Sequence, residues 1–532
     1  MNVFLKRLFQ VLTIWQLVAP GAANCQYGFN KIVEIPNTLS LNFDDILYDH
    51  DQLIVRGNAY NDSLNLWGLF VAGLDTNGIV LWHNTLVDTS GQSHIVTNTP
   101  SRFIISNSNK LVIPTYYFNT NKMGLFLTDS VGNELLPIIY PEYGLVTFPF
   151  DIIQHNNSYY IFGRIIRENY IGDVFILKVD SLGGEVWIKY YGAPPYSETF
   201  GDVLENTDGT FSISSSIYSA DYYDEPFGQG WRRPWIFTVD TSGQIVEQWM
   251  GQTNDARTLG GGPMYRTDNG DWILVSVEHK AVLSSGQIDL NSSPTVTKLD
   301  SDYNLIWKKY LTDFIGMFDE ILDLEYDSIR DEYIFTGQKT VYFNPWSGAL
   351  EGWIFKMSAD GELLWSVADT ALYDPNHYVQ HHLGGVALAP SGSIYTAGYI
   401  DHSKPPGRNY GWILKVAPDG CIDTICTTVS VEEQINHKKV PIPVYPNPTS
   451  DLLYIDLSEI EGQAITVEFL TLDGQSQGVA ILNPGLNKVI MQHVIGDQSG
   501  MLIYKIVADT RTIGLGKVLT SQGVLPSSSA GA

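Results

Sequence analysis

Phe175-Ile176-Leu177-Lys178-Val179-Asp180-Ser181-Leu182-Gly183-Gly184-Glu185-Val186-Trp187 reads as a strand, a tight turn and a second strand. An Asp that opens a turn accepts a hydrogen bond from a backbone N–H further along, and a Gly three residues later takes positive φ without cost. The flanking runs are apolar with a period of two, which makes the unit a hairpin with a bulge. The chain rewrites it. Asp75, Gly78 and Trp82 stand in the same places, as do Ser358, Gly361 and Trp365. Asp300 and Trp307 keep the pattern while Tyr303 replaces the glycine, and weaker copies carry Asp129 with Gly132, Asp240 with Gly243, and Ala417 with Gly420. Positions 75, 129, 180, 240, 300, 358 and 417 are separated by 54, 51, 60, 60, 58 and 59 residues. A fixed period of this size means a repeat architecture. The recurring Trp reads as a packing residue wedged between neighbouring sheets.

Each hairpin is preceded by another. Asp202-Val203-Leu204-Glu205-Asn206-Thr207-Asp208-Gly209-Thr210-Phe211-Ser212-Ile213 is a strand, an acidic-Gly turn and a strand, and related passages span 44–57, 103–117, 150–163, 263–277, 318–337 and 385–398. Each repeat therefore supplies four strands, a to d. Helical periodicity is missing beyond the first 25 residues. The expected fold class is all-β, a seven-bladed β-propeller over residues 26–427. The seventh repeat stops at Gly420-Cys421 without a d strand, while Lys31-Ile32-Val33-Glu34-Ile35-Pro36 precedes the first a strand without a repeat of its own. Adding that segment to the last blade would close the ring and leave no open edge.

Residues 1–25 read as a secretory signal peptide. Lys6 and Arg7 precede an apolar run from 8 to 19, then Gly21-Ala22-Ala23, a run too short to span a bilayer. Cleavage fits after Ala23 or before Gln26; a lipoprotein reading of Cys25 has Asn24 against it, where a small residue is wanted. No later stretch suits a transmembrane segment. The hydrophobic share of 44%, with 48 Gly and 25 Pro for turns, suits a large exported β protein. A net charge of −27 argues against nucleic acid, whose recognition needs a basic stripe. It is compatible with Ca²⁺ at carboxylate-rich loops, but no cofactor is indicated. Cys421 and Cys426 are expected to close a small disulfide loop, since ligands at zinc spacing are missing around them.

In an antiparallel blade the b–c and d–a connections share one face. Here that face carries the long aromatic loops, the usual place for binding. One b–c loop holds Tyr222, Tyr223, Trp231, Arg232 and Arg233, another Tyr342 and Trp346, a third Tyr410; the d–a loop holds His377, His381 and His382 beside Asp374. Two readings stand for each group. The tyrosines and Trp231 form a stacking platform for sugar rings or a protein, or they pack the loop on itself. The arginines grip a carboxylate, or pair with Asp224 and Glu225. The histidines with Asp374 hold a metal, or are solvated; the solvated reading is preferred and no metal site is assigned.

Catalytic motifs fail. There is no G-x-S-x-G elbow, H-E-x-x-H helix, P-loop or dinucleotide fingerprint. The residues 358–365 do not keep the spacing of a sialidase Asp-box, and Asp180 stands three rather than four residues before Gly183, which departs from the quinoprotein dehydrogenase repeat. A binding module is expected ahead of an enzyme.

Residues 428–443 read as a linker. Beyond it, short strands separated by Asp473-Gly474 and Asn483-Pro484-Gly485 suit a small Ig-like β-sandwich. Val444-Tyr445-Pro446-Asn447-Pro448-Thr449-Ser450-Asp451-Leu452-Leu453-Tyr454-Ile455 resembles the opening of the type A C-terminal sorting domain of the bacterial type IX secretion system. Leu472-Asp473-Gly474, the glycine-then-strand at 500–506 and Lys517-Val518 fall in that family's order, over 444–520. Tyr445, Pro446, Asn447 and Pro448 carry the distinctive part, and the two prolines stiffen the approach to the first strand. The resemblance implies export to the periplasm, then passage through the outer membrane of a Bacteroidota-type cell, with cleavage or surface attachment there. The tail 521–532 departs from the family's usual end and reads as disordered or vector-derived. The upstream repeats resemble the propeller cargoes attached to such domains. The sequence thus leads to a monomeric, secreted or cell-surface propeller that binds a polysaccharide or protein and has the type IX machinery as a partner. The alternatives are a propeller lyase or glycosidase, and a passive adhesion or structural protein.

Overall fold

The computed structural model describes residues 28–422 with short internal gaps, the longest 220–231, and, between 444 and 520, chiefly the strands. Two compact units are present, Met1–Ile422 and Asp423–Ala532.

The chain is almost entirely β. Among the described residues of the first unit there are seven antiparallel sheets, one per repeat, here sheets 1 to 7 in chain order. Sheet 3 shows the plan: Val146–His155, Ser158–Ile166, Gly172–Asp180 and Glu185–Tyr191 lie side by side in chain order. Its third strand is buried on both faces, which is why Phe175-Ile176-Leu177 is continuously apolar rather than alternating. In sheets 2 and 5 the first strand is broken into two short pieces. The turns match the chemistry of the repeat. Asp180 Oδ1 accepts the N–H groups of Leu182 and Gly184, both at 2.8 Å. Asp75, Asp129, Asp240 and Asp300 each accept the same two donors.

Sheet 7 draws its fourth strand from the other end of the unit. Phe29–Val33 pairs antiparallel with Arg408–Val416, Phe29 opposite Lys415 and Val33 opposite Gly411. The strand starts two residues before the expected segment and stops short of Pro36, because a turn intervenes: Thr38 N–H bonds Ile35 O at 3.2 Å, with Asn37 at φ 62°.

A cycle of contacts joins the sheets. The outer-strand residue of each sheet packs on the turn of the next, where a Cβ on the turn glycine would lie 3.2 Å from Trp82 at Gly132, and 2.9 Å from Trp187 at Gly243, Trp307 at Gly361 and Trp365 at Gly420. Ile138 fills the place at Gly183, and Phe29 of sheet 7 fills it at Gly78 of sheet 1. At the copy lacking glycine, Tyr303 takes φ 63° and lies parallel to Trp249, ring centroids 5.3 Å apart at 6°. The tryptophans are therefore packing residues. Only Gly, or a residue that tolerates the left-handed region, can occupy the covered turn.

The second unit contains a three-stranded sheet, led by Val444–Tyr445 paired to Leu452–Leu457, and a four-stranded sheet built around Ile465–Leu470. One core joins them: Leu453, Ile455 and Val489 from the first sheet bury against Val467, Phe469 and Ile506 from the second.

Candidate functional site

The first strands of four sheets place an aspartate at one level, immediately after a β-bulge: Asp45, Asp151, Asp202 and Asp323. A bulge re-aims a side chain. Each of these carboxylates accepts the N–H of the residue that follows it, at 2.7 to 2.9 Å. Three also reach the next sheet, Asp45 to Phe103 N–H (3.2 Å), Asp202 to Met264 N–H (2.8 Å) and Asp323 to Val386 N–H (2.9 Å). Sheet 2 supplies Arg102 to this level. Its Nη2 is 2.7 Å from Asp323 Oδ1, its Nη1 3.5 Å from Asp202 Oδ1 and its Nε 3.9 Å from Asp151 Oδ2. One side chain reached from sheets 2, 3, 4 and 6 at once stands where the sheets converge.

A cavity of about 150 Å³ opens over Arg102, lined by Phe150, Phe200, Pro263, Glu320 and Ile321 among others. Phe150 and Phe200 are parallel, centroids 5.8 Å apart at 1°, and behind them Phe150 contacts Phe148, which contacts Tyr116. The guanidinium stays charged despite burial, because Asp202, Asp323, Asp151 and Asp45 surround it. Burial pushes the carboxyl of Asp45 up to about 7, and raises Asp151 and Asp202. Asp44 and Glu325 nearby are likewise pushed up to about 7 by burial. Arg56, buried beside Asp44 and Asp45, is a second cation of this group, and the carboxyls outnumber the two cations.

The loop residues singled out from the sequence fall into three groups. Tyr222, Tyr223, Trp231 and Trp346 lie outside the described residues, as do the side chains of Arg232 and Tyr342. Tyr342 belongs to a hairpin, Glu332–Asn344 with Ser347–Ser358, so that connection is two prolonged strands rather than an irregular loop. Arg233 is half-buried in the strand Arg232–Val239, and Tyr410 is half-buried on Arg408–Val416 with the Arg408 guanidinium 4.9 Å from its ring centre. The histidines separate. His377 Nδ1 is 2.8 Å from Asp374 Oδ2, and the same oxygen is 3.0 Å from His402 Nε2.

His381 and His382 belong elsewhere. His381 Nε2 accepts the Leu372 N–H at 3.2 Å, with the ring edge-on to Trp412, and His382 pairs with Gln338 and stacks on Tyr399 at 4.5 Å. Burial lowers both to about 4, so both imidazoles are neutral, His381 buried and His382 half-buried. Cys421 is disulfide-bonded; the bonding partner expected for it, Cys426, lies outside the described residues. Tyr445 pairs with Tyr454 in the second unit, and 446–448 lie outside the described residues. No described helix is long and apolar enough to cross a membrane.

Neither a known family nor a curated protein matches the chain. Among solved structures it is similar to PorZ, an essential bacterial surface component of the type IX secretion system of Porphyromonas gingivalis, with a TM-score of 0.34 and 12% identity over 90% of this chain. The match covers 59% of PorZ, so the chain spans about three fifths of that protein. It is similar to a polysaccharide lyase of family PL25, an ulvan lyase, with a TM-score of 0.45 and 10% identity over 74% of this chain and 96% of that one. The β-propeller domain of the trilobed protease from Pyrococcus furiosus gives 0.38 and 8% identity over 73% and 94%.

Proposed function

We propose that the chain is an exported binding module, a seven-bladed β-propeller followed by a β-sandwich sorting domain of the type IX secretion system, acting in the secreted medium or at the cell surface. The cavity over Arg102 is the seat of its ligand, and that cavity with its parallel Phe150 and Phe200 is the observation that carries the reading. Aromatic faces beside hydrogen-bonding carboxyls suit a sugar ring or a side chain of a protein ligand. The crowded carboxyls disfavour polyanions, because a carboxylate or sulfate brought there meets Asp151, Asp202 and Asp323, which already share Arg102. The preferred ligand is therefore a neutral polysaccharide or a basic protein segment. The sequence Tyr445-Pro446-Asn447-Pro448 supports the export route.

The test is binding of the mature chain to neutral and to acidic oligosaccharides and to basic peptides, with Phe150→Ala alongside. Saturable binding to a neutral glycan or basic peptide, lost in the variant, is expected. Preference for uronate or sulfate glycans would overturn the ligand assignment, and release of new reducing ends or unsaturated sugars would make the chain an enzyme. Replacing Pro446 and Pro448 by Ala in the full chain is expected to leave it in the periplasm of a host with the secretion system.

A further inference from the structure

We propose that Asp374, His377 and His402 form a binding site for a zinc-class divalent metal ion. The three ligand atoms, one carboxylate oxygen and two imidazole nitrogens, all lie within 4.8 Å of one another, and among the described residues no other group of His, Cys, Asp and Glu does so. Both rings address the same oxygen and meet nearly at right angles, with centroids 5.7 Å apart and an interplanar angle of 83°. That is the disposition of ligands around a common centre rather than of two stacked rings. At metal–ligand distances of about 2.0–2.2 Å a tetrahedral site has ligand edges of roughly 3.3–3.6 Å. The observed 2.8 and 3.0 Å therefore need only a small withdrawal of the carboxylate to admit the ion.

The scaffold holds these groups in place. Tyr378 N–H donates to Ser403 Oγ at 2.9 Å, and Ser403 N–H donates to Tyr378 O at 3.0 Å. These bonds tie the residue after His377 to the residue after His402. His402 closes the strand Ile394–His402 opposite Val379 and is buried, while His377 is half-exposed. The site is thus anchored on the core side and open on the other, which leaves a fourth position for water or an external oxygen donor. Two imidazoles with one carboxylate select zinc-class ions over Ca²⁺, which takes six to eight oxygens. The reading is independent of the cavity over Arg102.

The full mature chain, stripped with chelator, is titrated with Zn²⁺ by calorimetry and with Co²⁺ by visible absorption. The expected result is one equivalent bound and a cobalt d–d band of four-coordinate intensity. Asp374→Asn keeps an acceptor for both imidazole N–H groups, so a merely hydrogen-bonded cluster survives it, whereas a metal site loses its charged ligand. In Asp374→Asn and in His377→Ala the affinity is expected to fall by more than the roughly 10–100-fold lost with an outer partner. His50→Ala, which removes an exposed imidazole beside Asp49, is expected to change nothing. Less than one equivalent in the parent chain, or an unchanged titration in either site variant, would overturn the proposal.

Discussion

The ring of Phe29 lies over Gly78, where a Cβ would stand 2.8 Å from Phe29 Cζ at a backbone φ of 74°. Phe29 belongs to the strand added to sheet 7, and Gly78 to the turn of sheet 1. This contact occupies the place that Trp82, Trp187, Trp307 and Trp365 fill between other sheets. Phe29→Ala is expected to destabilise the first unit by about 2 kcal/mol, less than a fully buried Phe because the ring is half-exposed. Chemical denaturation checks it, with the exposed Phe118→Ala as the control expected to be near neutral. Equal midpoints for the two variants would mean that the contact joining sheet 7 to sheet 1 contributes nothing.

Tyr303 carries the one non-glycine copy of the turn at φ 63°, and stacks on Trp249 and on Trp272, the latter at 5.9 Å and 13°. Two effects oppose each other. Tyr303→Gly relieves a left-handed conformation worth about 1 kcal/mol. It also removes two aromatic contacts worth roughly 0.5–1.5 kcal/mol each beyond the apolar area they bury. The stacking wins, so the variant is expected to lose about 1–2 kcal/mol. Gly361→Ala is the mirror test: a left-handed φ of 81° with the new Cβ 2.9 Å from Trp307. It is expected to lose about 2 kcal/mol.

Arg102 is the single cation shared by Asp151, Asp202 and Asp323. Removing one partner of a buried charge cluster costs more than the cluster contributes, because the remaining charges stay buried. About a third of the Arg102 side chain reaches the cavity, which lowers the cost. Arg102→Met is expected to destabilise the first unit by roughly 2–4 kcal/mol. The double variant Arg102→Met with Asp323→Asn is expected to recover part of that loss in the same thermal unfolding measurement.

The repeat was legible because one turn chemistry, Asp then Gly then an aromatic, recurs at a near-constant period. The added strand was legible because the last repeat ends at Gly420 one strand short. The ring of aspartates was visible in principle. Phe43-Asp44-Asp45-Ile46, Phe150-Asp151-Ile152, Gly201-Asp202-Val203 and Leu322-Asp323-Leu324 all place Asp between the first apolar residues of an inner strand. It was missed because an Asp inside an apolar run reads as a strand edge unless a bulge turns it inward. Arg102 carries no repeat signal at all; its partners come from residues 49 to 221 positions away, which only closure of the sheets brings together. The histidine group was half legible. Asp374 and His377 are three apart in one loop, but His381 and His382 lie further on in the strand Val379–Leu388 with other partners, and His402 arrives from the neighbouring strand.

The buried carboxyls set the pH dependence. Asp44, Asp45 and Glu325 are pushed up to about 7 in the folded protein by burial. A carboxyl raised in this way contributes stability in full below its unfolded value of about 4, and that contribution is lost as pH rises through about 7. The turn aspartates act oppositely. The side-chain amides of Asn133 and Asn304 hold Asp129 and Asp300 down, and the Gln244 N–H holds Asp240 down. Their contribution is present above about 4 and lost as pH falls below it. The melting temperature of the chain is therefore expected to peak near pH 4, to fall between about pH 4 and 7 and to level off above that. Asp45→Asn, which removes one of the raised groups, is expected to flatten the alkaline limb and leave the acid limb as it was. A melting temperature that climbs steadily from about pH 5 to pH 8 would show that these carboxyls are ionised in the folded state, and that Arg102 neutralises the cluster more fully than its geometry implies.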